Sequence, residues 1–348
     1  MKITRFEEFL TKFKEKIWSD TITGIVTEIH EVDRNATQIW FRFHPLALLR
    51  FIESADDKEK AVQKLAIQGD FDLKDQIDSS HKFLYGHRFW KTVKEEIAKR
   101  AENFSEQNAD LKAEIEQIAN TVSEKTKADK SLTLGISAVG LMTLNQVGFD
   151  AFKSAKGETE KPNGLMTKSP DKIVAERAKD DSQGIFGFLK TIDKKFTVSW
   201  EDKQSKGKFP VTNQAELATA AALDQTQDWK ARDERCWEGV IPVECRSASC
   251  GTCWIGVLAG EEKLAEVQRL ERKQMKVFGY NQTDEAKPFM RLACQAKAHG
   301  NVSIVIPAWN GVFGKKVYDN VEKAELEPVT TSAKKLRETI AEAVRESK

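Results

Sequence analysis

Three of the chain's five cysteines, Cys245, Cys250 and Cys253, stand in one run, Cys-Arg-Ser-Ala-Ser-Cys-Gly-Thr-Cys. Cys294 follows in Arg-Leu-Ala-Cys-Gln and completes a C-x4-C-x2-C…C ladder. Four thiolates can fill the four terminal positions of a [2Fe–2S] rhombus, and this spacing is one that holds such a cluster. The chemistry would be one-electron transfer. Small side chains at Ser247, Ala248, Ser249, Gly251 and Thr252 let a loop close round the cluster with backbone N–H groups aimed at sulfur. Such donors stabilise the reduced, more negative state. Structural zinc is the competing reading, but zinc favours two C-x2-4-C knuckles or a Cys/His mixture, and the chain has a single C-x2-C. Disulfides fit less well. Five cysteines in 348 residues fall far below a disulfide scaffold, and Met1–Glu8 lacks the apolar core of a signal peptide. Cys236, in Asp-Glu-Arg-Cys-Trp-Glu-Gly, is surplus to a four-ligand pattern and reads as a free thiol.

The stretch from about Phe196 to Pro307 resembles the plant-type, β-grasp [2Fe–2S] ferredoxin family, on CRSASCGTC, RLACQ and the closing strand Asn301-Val-Ser-Ile-Val-Ile-Pro307. The resemblance implies one [2Fe–2S] cluster, with Cys245 and Cys250 on one iron and Cys253 and Cys294 on the other. It also implies redox proteins as partners. Two departures stand out: the family usually has Gly where Ala248 stands, and the gap from Cys253 to Cys294 is longer than in the photosynthetic plant proteins. The charged helical run Ala265–Phe278 fills that gap and looks like an insertion. A narrower likeness rests on CRSASCGTCW, Phe278-Gly-Tyr280 and Trp309-Asn-Gly311. It is to the ferredoxin domain of chlorosome envelope proteins in green bacteria, and it covers only this head.

The elements needed to position these cysteines follow in order. Phe196–Trp200 and Lys208–Val211 alternate as strands round a turn at Lys203–Gly207, and Asn213 is expected to cap a helix over Gln214–Leu223. Trp254–Leu258 reads as a buried strand, Gly260–Glu262 as a turn, and Val302–Ile306 as the last sheet strand.

The whole chain reads as an α+β multidomain protein. Residues 1–105 are expected to form an N-terminal α/β or α+β domain, with strands at Gly24–Val32 and Thr37–Phe43 joined by a hairpin at Asp33–Ala36. Helices follow at Leu46–Ile52, Asp57–Ile67 and Gly86–Ala101. Residues 106–153 form a helical stalk, 154–190 a linker, 191–318 the ferredoxin domain, and 319–348 a tail with an amphipathic helix at Ser332–Glu346. The Gly184–Leu189 patch at the end of the linker is apolar enough to pack on a neighbour.

Two segments outside the cysteine domain have chemical interest. His44, His81 and His87 fall among Arg42, Arg88, Trp40 and Trp90, which allows a three-histidine metal site or a pocket for an anion. Ordinary core or surface roles are the alternative, because His81 and His87 lack metal-binding spacing on one helix face. Ser131–Phe149 carries no charge and is about the minimum length of a membrane span. Its Ser, Thr, Asn, Gln and Gly content makes it a poor span, so it is read first as a buried or hairpin-packed helix, and otherwise as a segment that inserts into a membrane or associates with a membrane surface or large assembly.

With 55 basic and 54 acidic residues the net charge is +1, and no basic patch recommends nucleic acid. Neither a dinucleotide fingerprint nor a phosphate-binding loop occurs, and no nucleophile constellation stands out. The reading is therefore a one-electron carrier, or an electron-carrying subunit of a larger redox assembly, and not an enzyme by itself. Two alternatives stay open: a redox-sensing or structural module of a membrane or chlorosome-type assembly, and the electron-input domain of an enzyme. A cytoplasmic location is expected, with association to the cytoplasmic face of a membrane or envelope as the variant.

Overall fold

The computed structural model describes residues 3–105, 110–179, 194–280, 284–318 and 339–340. The chain divides into two units, one of Met1–Ala55 with Asp72–Glu176, the other of Asp56–Phe71 with Arg177–Lys348.

The first unit is helical. Its elements are α1 (Arg5–Thr11), α2 (Glu15–Ile25), α3 (Glu31–Phe43) and α4 (Leu46–Glu53), then, after a short helix of the other unit, α5 (Lys58–Lys64), α6 (Trp90–Glu102), α7 (Leu111–Thr126), α8 (Lys130–Val147), α9 (Phe149–Ser154) and α10 (Pro170–Ala178). Side-chain caps fix several starts: Thr4 and Glu7 close a capping box on α1, while Asp110 and Asp129 accept from the first turns of α7 and α8.

Here the expected strands are overturned. Thr37–Phe43 lies inside α3, and Gly24–Val32 runs from the end of α2 through a turn into α3. The buried residues Val32, Ala36, Ile39, Trp40 and Phe43 recur at three-to-four spacing, the period of a helix face. β-Branched and aromatic content alone imitates a strand, and packing decides otherwise. Asp33, expected in a hairpin, is buried and accepts the backbone N–H groups of Tyr85 (2.6 Å) and Gly86 (2.7 Å).

The uncharged stretch forms α8, in which every residue from Thr133 to Leu144 is buried. A Cβ on Gly140 would stand 2.6 Å from Ile97, so the missing side chain is what lets α6 lie against α8. Among the described residues no helix is long and apolar enough to cross a membrane.

The expected linker is also ordered over its first part. A 3-10 turn at Gly164–Thr167 leads to α10, whose Ile173 is fully buried against Val32 and Tyr85. Arg88 ties this stretch down by donating to Met166 O at 2.9 Å. The Gly184–Leu189 patch and nearly all of Ser332–Glu346 lie outside the described residues.

The second unit is built on a five-stranded sheet in the order β3-β2-β6-β4-β5. Its strands are β2 (Lys195–Glu201), β3 (Lys206–Thr212), β4 (Trp254–Ala259), β5 (Met290–Leu292) and β6 (Val302–Val305). β2 and β6 run parallel at the centre and the other pairs are antiparallel, an arrangement consistent with a β-grasp. Helix α11 (Leu217–Ala221) packs on β3, and α12 (Trp229–Arg232), α13 (Arg269–Phe278) and α14 (Gly314–Val317) complete the unit. Asn213 does not cap α11. Gln214 turns into the left-handed region at φ +63°, and the helix begins only after Glu216.

One part of this unit comes from far upstream. Strand β1 (Gln68–Gly69), which follows α5, pairs antiparallel with β7 (Trp309–Asn310). Asp70 N–H donates to Ala308 O at 2.9 Å, Val312 N–H donates to Leu65 O at 2.6 Å, and Leu65 is fully buried.

Candidate metal centre

The four cysteines of the ladder come together as two pairs. Cys245 and Cys250 lie within hydrogen-bond reach of each other, and so do Cys253 and Cys294. The neighbouring Cys250 thiol and the N–H groups of Ser247 and Ser249 lower Cys245 against the opposing pull of burial. The Cys253 thiol likewise lowers Cys294, and its own ionisation is pushed up. Among the described residues no three His, Cys, Asp or Glu side chains are grouped to hold a single metal ion. Two adjacent thiol pairs are what a two-iron rhombus asks of its protein, two sulfurs to each iron.

Local backbone geometry aims donors at these sulfurs. Arg246 (φ +58°), Ala248 (φ +59°) and Gly251 (φ +76°) all take left-handed conformations, which curl the loop round its own sulfurs. Ser247 and Ser249 N–H donate to Cys245 Sγ at 3.4 and 3.3 Å. The Thr252 hydroxyl lies 3.2 Å from Cys250 Sγ. Gln295 Nε2 donates to Cys294 Sγ at 3.5 Å. Donors of this kind favour extra negative charge on the site. Cys253 and Cys294 are buried, whereas Cys245 and Cys250 are half-buried beside exposed Ser247, so one edge of the site reaches the surface.

Below the loop lies an aromatic platform. Trp254, next to Cys253, stacks on Tyr280 with centroids 3.9 Å apart and planes at 14°, and donates to Trp309 O at 3.0 Å. The Tyr280 hydroxyl contacts Gly251 O at 2.8 Å, and a Cβ on Gly251 would come within 2.9 Å of the Phe278 ring. The motifs Phe278-Gly-Tyr280 and Trp309-Asn-Gly311, remote in sequence, thus meet under the cysteine loop.

The apparent insertion holds the fourth cysteine. Glu271 on α13 pairs with Arg291 at 2.9 and 3.0 Å and accepts Leu292 N–H at 3.0 Å, so β5 is fixed just before Cys294. On the other flank Arg246 donates to Glu238 at 3.0 Å and to Thr219 Oγ1 at 3.0 Å. Sequence reading passed over these supports because each pairs residues on separate elements. Cys236 stands apart: its buried thiol donates to Val240 O at 3.2 Å, and burial pushes it up to about 12.

In the helical unit the three histidines do gather. His81 and His87 face each other through Nδ1 atoms 3.0 Å apart, and His44 lies close enough to act on His81 electrostatically. Glu160 N–H donates to His87 Nε2 at 3.1 Å, so the His87 proton sits on Nδ1 and is donated to His81. Burial keeps the rings neutral, lowering His44 to about 3 and His87 to about 4. Arg88 instead lies over the Tyr85 ring, and Trp40 and Trp90 donate to Ser80 and Asp78.

Residues 224–299 match the family model described as the 2Fe-2S iron-sulfur cluster binding domain. The chain thus carries a ferredoxin-type [2Fe–2S] domain towards its C-terminus, a module of electron transport. It takes one [2Fe–2S] cluster. No curated protein matches the chain.

Proposed function

We propose that Cys245, Cys250, Cys253 and Cys294 hold the cluster, the first two on one iron and the last two on the other, and that the chain is a one-electron carrier or the electron-carrying subunit of a larger redox assembly. The observation that carries this reading is the pairing of the four thiols. When bound, the cluster supplies a one-electron couple. The chain's own residues do the rest: the loop N–H groups offset charge on the sulfurs, and Trp254, Tyr280 and Phe278 keep water from the buried side. The half-buried Cys245 and Cys250 give a redox partner its approach. No residue constellation in the sequence is suited to turning over a substrate, which favours carrier over enzyme. The helical unit then serves recognition of the assembly, with its histidines as internal packing.

The test is stepwise. Each of the four Cys→Ser variants should lose or weaken the cluster while Cys236→Ser keeps it. Loaded wild-type protein should then pass electrons reversibly between a reductase and an acceptor. A cluster that titrates but exchanges electrons with no protein donor or acceptor would favour a sensing role.

A further inference from the structure

A cleft of about 480 Å³ in the helical unit presents charges of both signs that the fold leaves unused. It is walled by the turn before α3, the first turns of α3 and α8, and one face of α10. Internal bonds set this lining in place. His30 N–H donates to Ser131 O at 3.0 Å, His30 Nδ1 accepts Val32 N–H at 3.2 Å, and the proton left on its Nε2 faces Asp171 Oδ1 at 3.2 Å. Arg34 Nε donates to Ile29 O at 3.3 Å, which leaves the fork of two terminal guanidinium nitrogens available. Glu28, on the rim, is engaged by Lys112 at 3.2 Å. Among the described residues neither the Arg34 fork nor the Glu31 carboxylate has an ion-pair partner.

The charges decide what fits. A guanidinium fork matches a carboxylate at two points. An anion without a positive group would also face Glu31 and Asp171, and a plain cation would face Arg34, so each would meet like charge within one small cleft. A ligand carrying both charges meets an opposite for each. We propose that the cleft binds a free α-amino acid with a short apolar side chain, its carboxylate on Arg34, its ammonium beside Glu31 and Asp171, and its side chain against Ile29, Val174 and Ala175. The volume suits so small a ligand. This inference is independent of the cluster. Helix α10 gives the cleft one wall, and its Ile173 is buried against Val32 and Tyr85, so an occupant ties α10 to α3 at a second place.

The experiment titrates the full chain calorimetrically with L-valine and with two probes on the same carbon skeleton: isovalerate, which lacks the ammonium, and isobutylamine, which lacks the carboxylate. L-Valine should bind, and each probe should bind at least about tenfold more weakly, because one charge of the cleft then goes unanswered. Arg34→Gln and Glu31→Gln should each weaken L-valine by about the same factor. Glu31→Gln should also narrow the preference for L-valine over isovalerate, which a loss of structure alone would not do. L-Valine should slow amide exchange in α10 of the wild type. Comparable binding of L-valine and either probe, or neither heat nor slowed exchange at millimolar L-valine, would overturn the proposal. Glu31 is exposed, so its variant carries the test should Arg34→Gln unfold with the loss of the bond to Ile29.

Discussion

Glu271 and Arg291 form a two-pronged ion pair in which both side chains are only 1% exposed. The pair joins the helix that lengthens the gap between the third and fourth cysteines to the strand that delivers the fourth. Arg291 also donates to Ala265 O at 2.8 Å, so the start of the insertion is drawn to the same point. A buried pair contributes little over an apolar replacement, yet removing one partner is costly because the other charge is left enclosed and alone.

Arg291→Ala should therefore destabilise the ferredoxin unit by about 3–5 kcal/mol, the usual cost of orphaning a buried charge. Denaturant unfolding followed by Trp fluorescence measures this, and cluster loss should quicken in parallel as β5 loosens. A cost under about 1 kcal/mol would place the pair among the weak surface contacts.

Ala248 occupies the left-handed region at φ +59°, where a Cβ costs roughly 1 kcal/mol and Gly costs nothing sterically. Ala248→Gly should keep both irons and gain up to about 1 kcal/mol, part of the gain being offset by the freer unfolded chain. The midpoint of a denaturant titration decides it. A clear loss of stability would show that the methyl group, which is buried, contributes more packing than strain.

How much of this was readable beforehand differed between the two ends of the chain. The cysteine loop and strands β2 and β4 were legible because ligand spacing, two-residue alternation in β2 and the short continuous apolar run of β4 are local signals. Helix α3 was not, since Ile39, Trp40, Phe41 and Phe43 satisfy a strand pattern until the buried face is known. Asp56–Phe71 was read as part of the N-terminal domain, because β1 is two residues long and its partner, Trp309–Asn310, lies near the other end. The Tyr280 hydroxyl and the Glu271 carboxylate needed the fold to bring their partners to them.

That misreading has a measurable consequence. A chain beginning at Thr191 lacks α5 and β1 and leaves the contacts of Leu65 open. It should lose its cluster faster than the full protein, and a synthetic peptide of residues 56–71 should slow that loss. Equal cluster lifetimes with and without the peptide would show that the upstream segment is dispensable.

Acid should act on the helical unit. His87 is held down at about 4 and His44 at about 3, from 6.5, so below pH 6.5 the unfolded chain binds protons that the folded chain refuses. Stability is full above pH 6.5 and is lost as pH falls towards 4, by about 3 kcal/mol or less per histidine. Urea titrations between pH 7 and pH 4 should show the decline, and His87→Leu should make it shallower. A flat profile would mean that these rings reach protons without unfolding.

The pairing of Cys245 with Cys250 and of Cys253 with Cys294 is tested most directly by iron and sulfide analysis with EPR of the reduced protein, on anaerobically prepared wild type, Cys294→Ser and Cys236→Ser. Wild type and Cys236→Ser should each contain about two irons and two labile sulfides and give a one-electron signal on reduction, and Cys294→Ser should lose or weaken it. Zinc without labile sulfide in the wild type, or an unchanged signal in Cys294→Ser, would contradict the account.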